Sequence, residues 1–547
     1  MFAVLRRFGV VLALTALTLV VGPASAWAHG LTRSQARELR QSDAGLVLAR
    51  PGAGPALRRA GGEKLTNALA IWRVPSRSAL QVLPGLLRAN LVTDVAADQL
   101  LFPLVAPPTP EGSDWWIPNV GANGATPPGP GKPLTIIDTG VDLAHEEFAG
   151  RPGTTALNPQ STATRLEEHG TAVASVAAAP RNGVGVVGVY PQANLYAWDA
   201  SPSGLGITAG DVIQGLDAAI REGAGIVNLS LGSQIRNPLL DNMIAATQAA
   251  GTLVVAAAGN SREQGSPLEY PASLPHVLTV GAIDEINQPT YFTSGSPHVD
   301  LAAPGQNIAV AVPTTLHPPD YYDRFDGTSF SSPIVAAAAD WVWTVRPTLD
   351  WTQLAEVMRA SSQDLYSPGF DPFTGFGRLN IPAALTVAPA APDPQEPNED
   401  VSYVKPGGFL HRSAKPLTAL RRKSGSVTAR LDFGDDPRDI YRIWVPGKRT
   451  AVVALQPVGG DADLALWGPK TASVLESGRA LRRDTRGISE RSGTKRERLR
   501  VKNTARKGAY YYVEAYVGAG SGSVSRPVAG IGYRIAVSIV RTKTARH

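Results

Sequence analysis

Four runs in the middle of the chain are apolar without alternation, and each closes at glycine or a polar residue. They are PLTIIDTG (133–140), GIVNLSLG (225–232), GTLVVAAAGN (251–260) and HVLTVGAID (276–284). Runs of this kind suit strands buried on both faces, as in a parallel sheet. Between them lie the helical patterns TAVASVAAA (171–179), AGDVIQGLDAAIREGA (209–224) and LLDNMIAATQAA (239–250). Strands alternating with helices predict right-handed crossovers and an α/β unit with a parallel sheet covered on both sides, in three layers. A site in such a unit is expected beyond the carboxyl ends of the strands. Asp138, Asn228 and Asn260 fall at those ends.

The flanks read differently. Before residue 108, GLVLARPGA, NALAIWRVP and ANLVTDVAAD are short apolar runs broken by Gly, Pro and polar residues, which predicts a small α/β unit. FPLVAPPTPEGSD (102–114) and APAAPDPQEPNED (388–400) are proline-rich and read as linkers. Past residue 400 the pattern alternates and is rich in turns, as in RDIYRIWVPGKRTAVVALQ, DADLALWG, KGAYYYVEAYVG and GYRIAVSIV. That predicts an all-β unit, most simply a β-sandwich. The expected units are 1–28, 29–108, 109–388, the linker 389–400, and 401–547. There is no convincing internal repeat.

The 547 residues include no cysteine, which excludes disulfides, thiolate metal sites and a cysteine nucleophile. Residues 1–28 have Arg6 and Arg7, an apolar run, and small residues ending in Ala26 and Ala28. This is the layout of a secretory signal peptide, so the chain is expected to be exported and extracellular, with no membrane association once the signal is removed. Net charge is +6, with much of the basic character after residue 420. In its two densest stretches, ALRRKSGS (419–426) and RALRRDTRGISERSGTKRERLRVKNTARKG (479–508), no aromatic residues interleave with the charge and no nucleic-acid-binding fold is seen, so a solvated basic face is expected and no nucleic-acid partner.

Three polar positions carry the chemistry. Asp138 ends a strand pattern, His169 opens an alanine-rich helix in EEHGTAVAS, and Ser329 precedes a helix in FDGTSFSSPIV (325–335). A hydroxyl needs a base to become a nucleophile, and an imidazole needs a carboxylate to hold its tautomer. Singly, each has an ordinary structural use as a cap or a satisfied helix-end residue. Ser331 and Ser332, with Pro333 after them, read as helix-start residues.

Taken in order, Asp–His–Ser with D-T-G at 138–140, H-G-T at 169–171 and G-T-S-x-S-S-P at 327–333 resembles the subtilisin-like serine protease family, the subtilases. NLSLG (228–232), AAAGN (256–260), YPASLPHVLTVGAID (270–284) and FGRLNIPAAL (376–385) extend the resemblance over roughly 110–388. It implies a serine endopeptidase in which Ser329 attacks, His169 takes the proton, Asp138 orients His169, and Asn260 with the Ser329 N–H faces the oxyanion. It implies no cofactor for catalysis. It implies that a protein or peptide substrate lies along Ser230, Leu231 and Gly232, with Glu269 near the base of the P1 pocket, where a carboxylate would favour Lys or Arg. It also implies a structural calcium ion at Glu147, Asn182, Val184 and Val186. Residues 29–108 resemble the family's pro-region, which acts as an intramolecular inhibitor, with a junction between about 103 and 114. The last unit resembles the β-sandwich modules of bacterial secreted peptidases. Ala172 stands where many relatives carry His, which leaves the triad unchanged. His169 and Asn260 separate the chain from the acid-active sedolisins, and G-T-S-F-S departs from the G-x-S-x-G of esterases. The alternative is an exported, catalytically inactive binding protein that works through its β-module.

Overall fold

The computed structural model describes residues 31–66, 68–103, 115–162, 167–316, 321–366, 368–475, 478–518 and 530–542. The expected signal segment lies outside them. Among the described residues no helix is long and apolar enough to cross a membrane.

The central feature is a seven-stranded sheet, and every pairing in it is parallel. Its strands run, in spatial order, Val299–Pro304, Val277–Ile283, Leu253–Ala257, Ile226–Leu229, Pro133–Asp138, Asn194–Asp199 and Thr154–Ala156. Alternate residues feed two cores, as the two-residue period of a strand requires. Leu134, Ile136 and Val255 join the helices Glu168–Ala178 and Thr328–Val345 on one face. Ile137, Val254 and Ala256 join Ala209–Glu222 and Pro238–Ala249 on the other. The Thr328–Val345 helix is buried on every side from Thr328 to Trp343, which explains its continuous apolar sequence. Helix starts follow local chemistry: Thr208 accepts from the Asp211 N–H, and Asn237 accepts from the N–H groups of Leu239 and Leu240.

Three of the seven strands were not among the predicted runs: NLYAWD (194–199), VDLAAP (299–304) and the short edge strand TTA (154–156). The first is fully buried on alternate positions only, and the second carries the fully buried Asp300. Asp300 is tolerated there because it accepts from the Thr279 N–H at 2.8 Å and from Arg359 Nη1 at 3.0 Å.

The leading unit has a four-stranded antiparallel sheet with its own core under the helices Arg33–Gln41 and Ser76–Arg88. Its other face, through Leu46, Leu65, Ile71 and Ala96, packs on the helices Ala209–Glu222 and Pro238–Ala249. Arg73 crosses that contact, with Nε on Asp98 at 2.7 Å and Nη2 on Asp211 at 3.1 Å. The trailing unit is two four-stranded antiparallel sheets around a shared core, the expected sandwich arrangement.

Neither linker is wholly a linker. Leu100–Pro103 is a strand, so Phe102 and Pro103 belong to a sheet, while 104–114 lie outside the described residues. In the second linker Asp393, Glu396, Asn398, Glu399 and Asp400 are buried, because their carboxylates and amide are used between the protease unit and the sandwich. Arg359 ties that boundary together. It is 5% exposed and reaches Asp435 of the sandwich at 2.7 Å, Glu356 at 2.7 Å and Asp300 at 3.0 Å. Removing the guanidinium strands three buried carboxylates, so Arg359→Met should cost about 3–5 kcal/mol of stability. Urea denaturation of the two chains checks this; equal midpoints would show that Arg359 bears no structural load.

Candidate active site

Asp138 is the last residue of its strand and is 1% exposed. A carboxylate buried there must be paired, and its Oδ1 accepts from His169 Nδ1 at 2.8 Å and from the Thr139 N–H at 2.7 Å. The pair leaves the proton of the neutral ring on Nδ1 and Nε2, on the far side of the ring, as the basic nitrogen. His169 Nε2 is buried and has no hydrogen-bond partner among the described residues.

The loop after Asp138 and the helix that carries His169 approach closely. The Gly170 N–H donates to Thr139 Oγ1 at 3.0 Å. A Cβ on Gly170 would sit 2.2 Å from the Gly140 carbonyl oxygen, so only glycine permits this contact. Beside Asp138, on the adjacent strand, is Asp199, which sequence reasoning missed. It is fully buried and accepts from the N–H groups of Ser201 at 2.7 Å and Ser161 at 2.9 Å. Burial, with Glu167 and Asp138 nearby, pushes its carboxyl up to about 6. A carboxylate ending an apolar strand was the available signal.

Ser329 is the second residue of its helix. Its Oγ donates to the Ser230 carbonyl at 3.2 Å, and the Ser230 hydroxyl donates back to the Ser329 carbonyl at 2.7 Å. The nucleophile candidate is thus locked onto the strand expected to hold substrate, and its hydroxyl is turned to that carbonyl. Ser332 Oγ donates to Asn228 Oδ1 at 2.7 Å, and Ser331 Oγ to the carbonyls of Ala303 and Pro304 at 3.0 and 3.1 Å. Both have structural partners, in keeping with their reading as helix-start residues. Asn260 Oδ1 accepts from the N–H and the hydroxyl of Thr328 at 3.0 and 2.9 Å. Those two donors fix the amide, with its oxygen on the helix start and its NH₂ on the opposite side.

Leu231–Gly232 pairs antiparallel with Leu100–Pro103, matching Leu231 to Pro103 and Gly232 to Phe102. Leu100 and Leu101 also pair with Thr208 and Ile207. The end of the leading unit therefore lies as a middle strand between two segments of the protease unit. Glu269 is 4% exposed, and its Cγ lies 2.6 Å from where a Cβ on Gly259 would stand. Burial raises its carboxyl, while hydrogen bonds from the side chains of Gln234 and Ser261 oppose the rise.

The four expected calcium ligands come together, but not as a cation site. Glu147 accepts from the Val186 N–H at 2.8 Å, from Asn182 Nδ2 at 3.1 Å and from the Tyr322 hydroxyl at 3.1 Å. The Val184 N–H closes on Asn182 Oδ1 at 3.1 Å. Calcium takes oxygen ligands, and here the carboxylate meets N–H and O–H donors instead, so the residues as arranged do not fit it.

Comparison with known proteins agrees with the geometry. Residues 129–377 match the model of the subtilase family. Subtilisin DY of Bacillus licheniformis is 33% identical over 251 residues, 46% of this chain and 89% of that protein. The minor extracellular protease Epr of Bacillus subtilis is 32% identical over 253 residues, 46% of this chain and 38% of that protein. The crystal structure of fervidolysin from Fervidobacterium pennivorans, titled a keratinolytic enzyme related to subtilisin, superposes with a TM-score of 0.54 at 17% identity over 84% of each chain, a likeness of fold. The chain belongs to the subtilase family and is a serine endopeptidase that acts on protein substrates.

Proposed function

We propose that this protein is a secreted endopeptidase, made as a self-processing zymogen, that cuts peptide bonds through Asp138, His169 and Ser329. The observation that carries the reading is the buried 2.8 Å pair between His169 Nδ1 and Asp138 Oδ1, which leaves Nε2 without a partner among the described residues. Ser329 Oγ attacks the scissile carbonyl carbon as Nε2 takes its proton. The oxyanion is met by the Ser329 N–H at the helix start and by Asn260 Nδ2. Collapse breaks the C–N bond, and the imidazolium gives its proton to the leaving amine. A water then attacks the acyl ester, with His169 as base, and frees the acid and Ser329.

Substrate binds by strand addition to Ser230, Leu231 and Gly232. The pairing of Leu100–Pro103 with that segment supports the reading of the leading unit as an inhibitor lying in its own enzyme's cleft. Export is supported by the layout of residues 1–28 and by the name of the extracellular relative. An inactive binding protein is disfavoured, since it would have no use for the oriented His169 and Asn260. Glu147 is given no calcium role.

Four outcomes follow. The Ser329→Ala chain should keep its leading unit while the unaltered chain loses it at a bond between 103 and 114, read by intact mass; identical masses would reject self-processing. Asn260→Ala should lower kcat about 10²–10³-fold, the effect of removing one such donor in subtilisin. Gly170→Ala should force the His169 helix off the Asp138 loop and lower kcat about 10²-fold, with KM changed less. With Glu269 in the pocket, Glu269→Gln should lower the ratio of kcat/KM for Arg over Leu at P1 about tenfold or more. An unchanged ratio would remove Glu269 from specificity. Residues 103–114 contain neither Lys nor Arg, so self-cleavage depends on intramolecular presentation and leaves this prediction intact.

A further inference from the structure

Where the second linker crosses from the protease unit to the sandwich, acids outnumber their counter-ions. Glu396, Glu399 and Asp436 converge on His276, which precedes the Val277–Ile283 strand of the central sheet. One ligand atom from each of the four lies within 4.8 Å of the others. His276 Nε2 is 2.7 Å from Glu399 Oε1, 3.1 Å from Glu396 Oε2 and 3.8 Å from Asp436 Oδ1. One ring nitrogen carries at most one proton and cannot satisfy three carboxylates.

The nearby cations are already engaged. Arg359 holds Asp435, Asp300 and Glu356, and Arg430 lies against Asp393 and Glu356. Independently of the count, Asp436 Oδ1 is buried without a hydrogen-bond partner, in a residue 5% exposed. An uncompensated carboxylate oxygen at that depth is costly unless something cationic meets it.

The backbone also holds the imidazole in place. His276 sits at φ +57°, a conformation few side chains adopt, and its N–H donates to the Asp435 carbonyl at 3.1 Å. The Trp351 ring stands edge-on to the imidazole at 5.4 Å. A cavity of ≈ 20 Å³ lined by His276, Asp393, Asp435 and Asp436 adjoins the cluster. That is room for one water as a further ligand.

We propose that His276 Nε2, Glu396, Glu399 and Asp436 bind one divalent cation that clamps the sandwich to the protease unit. One imidazole with three carboxylates suits Mn²⁺ or Zn²⁺ better than Ca²⁺, which takes oxygen alone. The ion joins two parts of the fold, so it acts on retention of the module and on stability rather than on the bond-breaking step.

The test uses the full-length Ser329→Ala chain, stripped with chelator and titrated separately with ZnCl₂, MnCl₂ and CaCl₂ by calorimetry, with bound metal counted by mass spectrometry. The expected result is one equivalent of Zn²⁺ or Mn²⁺, with a denaturation midpoint that rises with metal concentration. Loss of folded structure on stripping, regained with Zn²⁺ or Mn²⁺, also supports the site. Asp436→Asn and His276→Gln, each close to the native side chain in size, should weaken binding at least tenfold. Binding of none of the three ions, binding of Ca²⁺ alone, or Zn²⁺ and Mn²⁺ binding undiminished in both variants would overturn the proposal.

Discussion

A carboxylate that is 1% exposed must find its hydrogen-bond donors inside the protein, and Asp138 finds one of them on His169. That constraint sets the geometry around it. It requires the Pro133–Asp138 strand to end where the Glu168–Ala178 helix begins, and this brings backbone so close that Gly140 and Gly170 leave no space for a Cβ between them. It fixes the imidazole tautomer, and with it the direction in which a proton can be taken. The parallel sheet serves this arrangement by placing strand ends and helix starts along one edge.

The proposed nucleophile, Ser329, is held by the same economy. The Ser230 and Ser329 main chains are linked through each other's hydroxyls, and Asn228 and Ser332 extend the chain of hydrogen bonds behind them. The three serines of FDGTSFSSPIV thereby divide their work. Ser331 and Ser332 bond to neighbouring strands, and Ser329, at the helix start, turns its hydroxyl to the Ser230 carbonyl. Asn260 is oriented from the other side by Thr328.

Much of this was legible in the sequence, for physical reasons. Strands buried on both faces must be continuously apolar, so four of the seven announced themselves, with Asp138 and Asn260 at strand ends and His169 and Ser329 at helix starts. What escaped were buried polar residues whose partners are distant in the chain. Asp300 disguised its strand, the strand ending in Asp199 was not picked out, Glu396 and Glu399 lay in a stretch read as a linker, and Asp436 lay between the patterns that were read. At Glu147 residue types and spacing brought the expected groups together, but the Val186 N–H and the Tyr322 hydroxyl, invisible in a motif, are what meet the carboxylate. Composition locates a charge; only the fold shows what neutralises it.

The central claim is that Ser329 is made nucleophilic by His169. A fluorophosphonate probe reacts with an activated serine hydroxyl and leaves the others, so it reads that claim without reference to any substrate. The account predicts one label per chain, located by peptide mapping on Ser329, and its loss in His169→Ala with the fold intact by circular dichroism. Labelling that persists in His169→Ala, or that falls on Ser331 or Ser332, would contradict it.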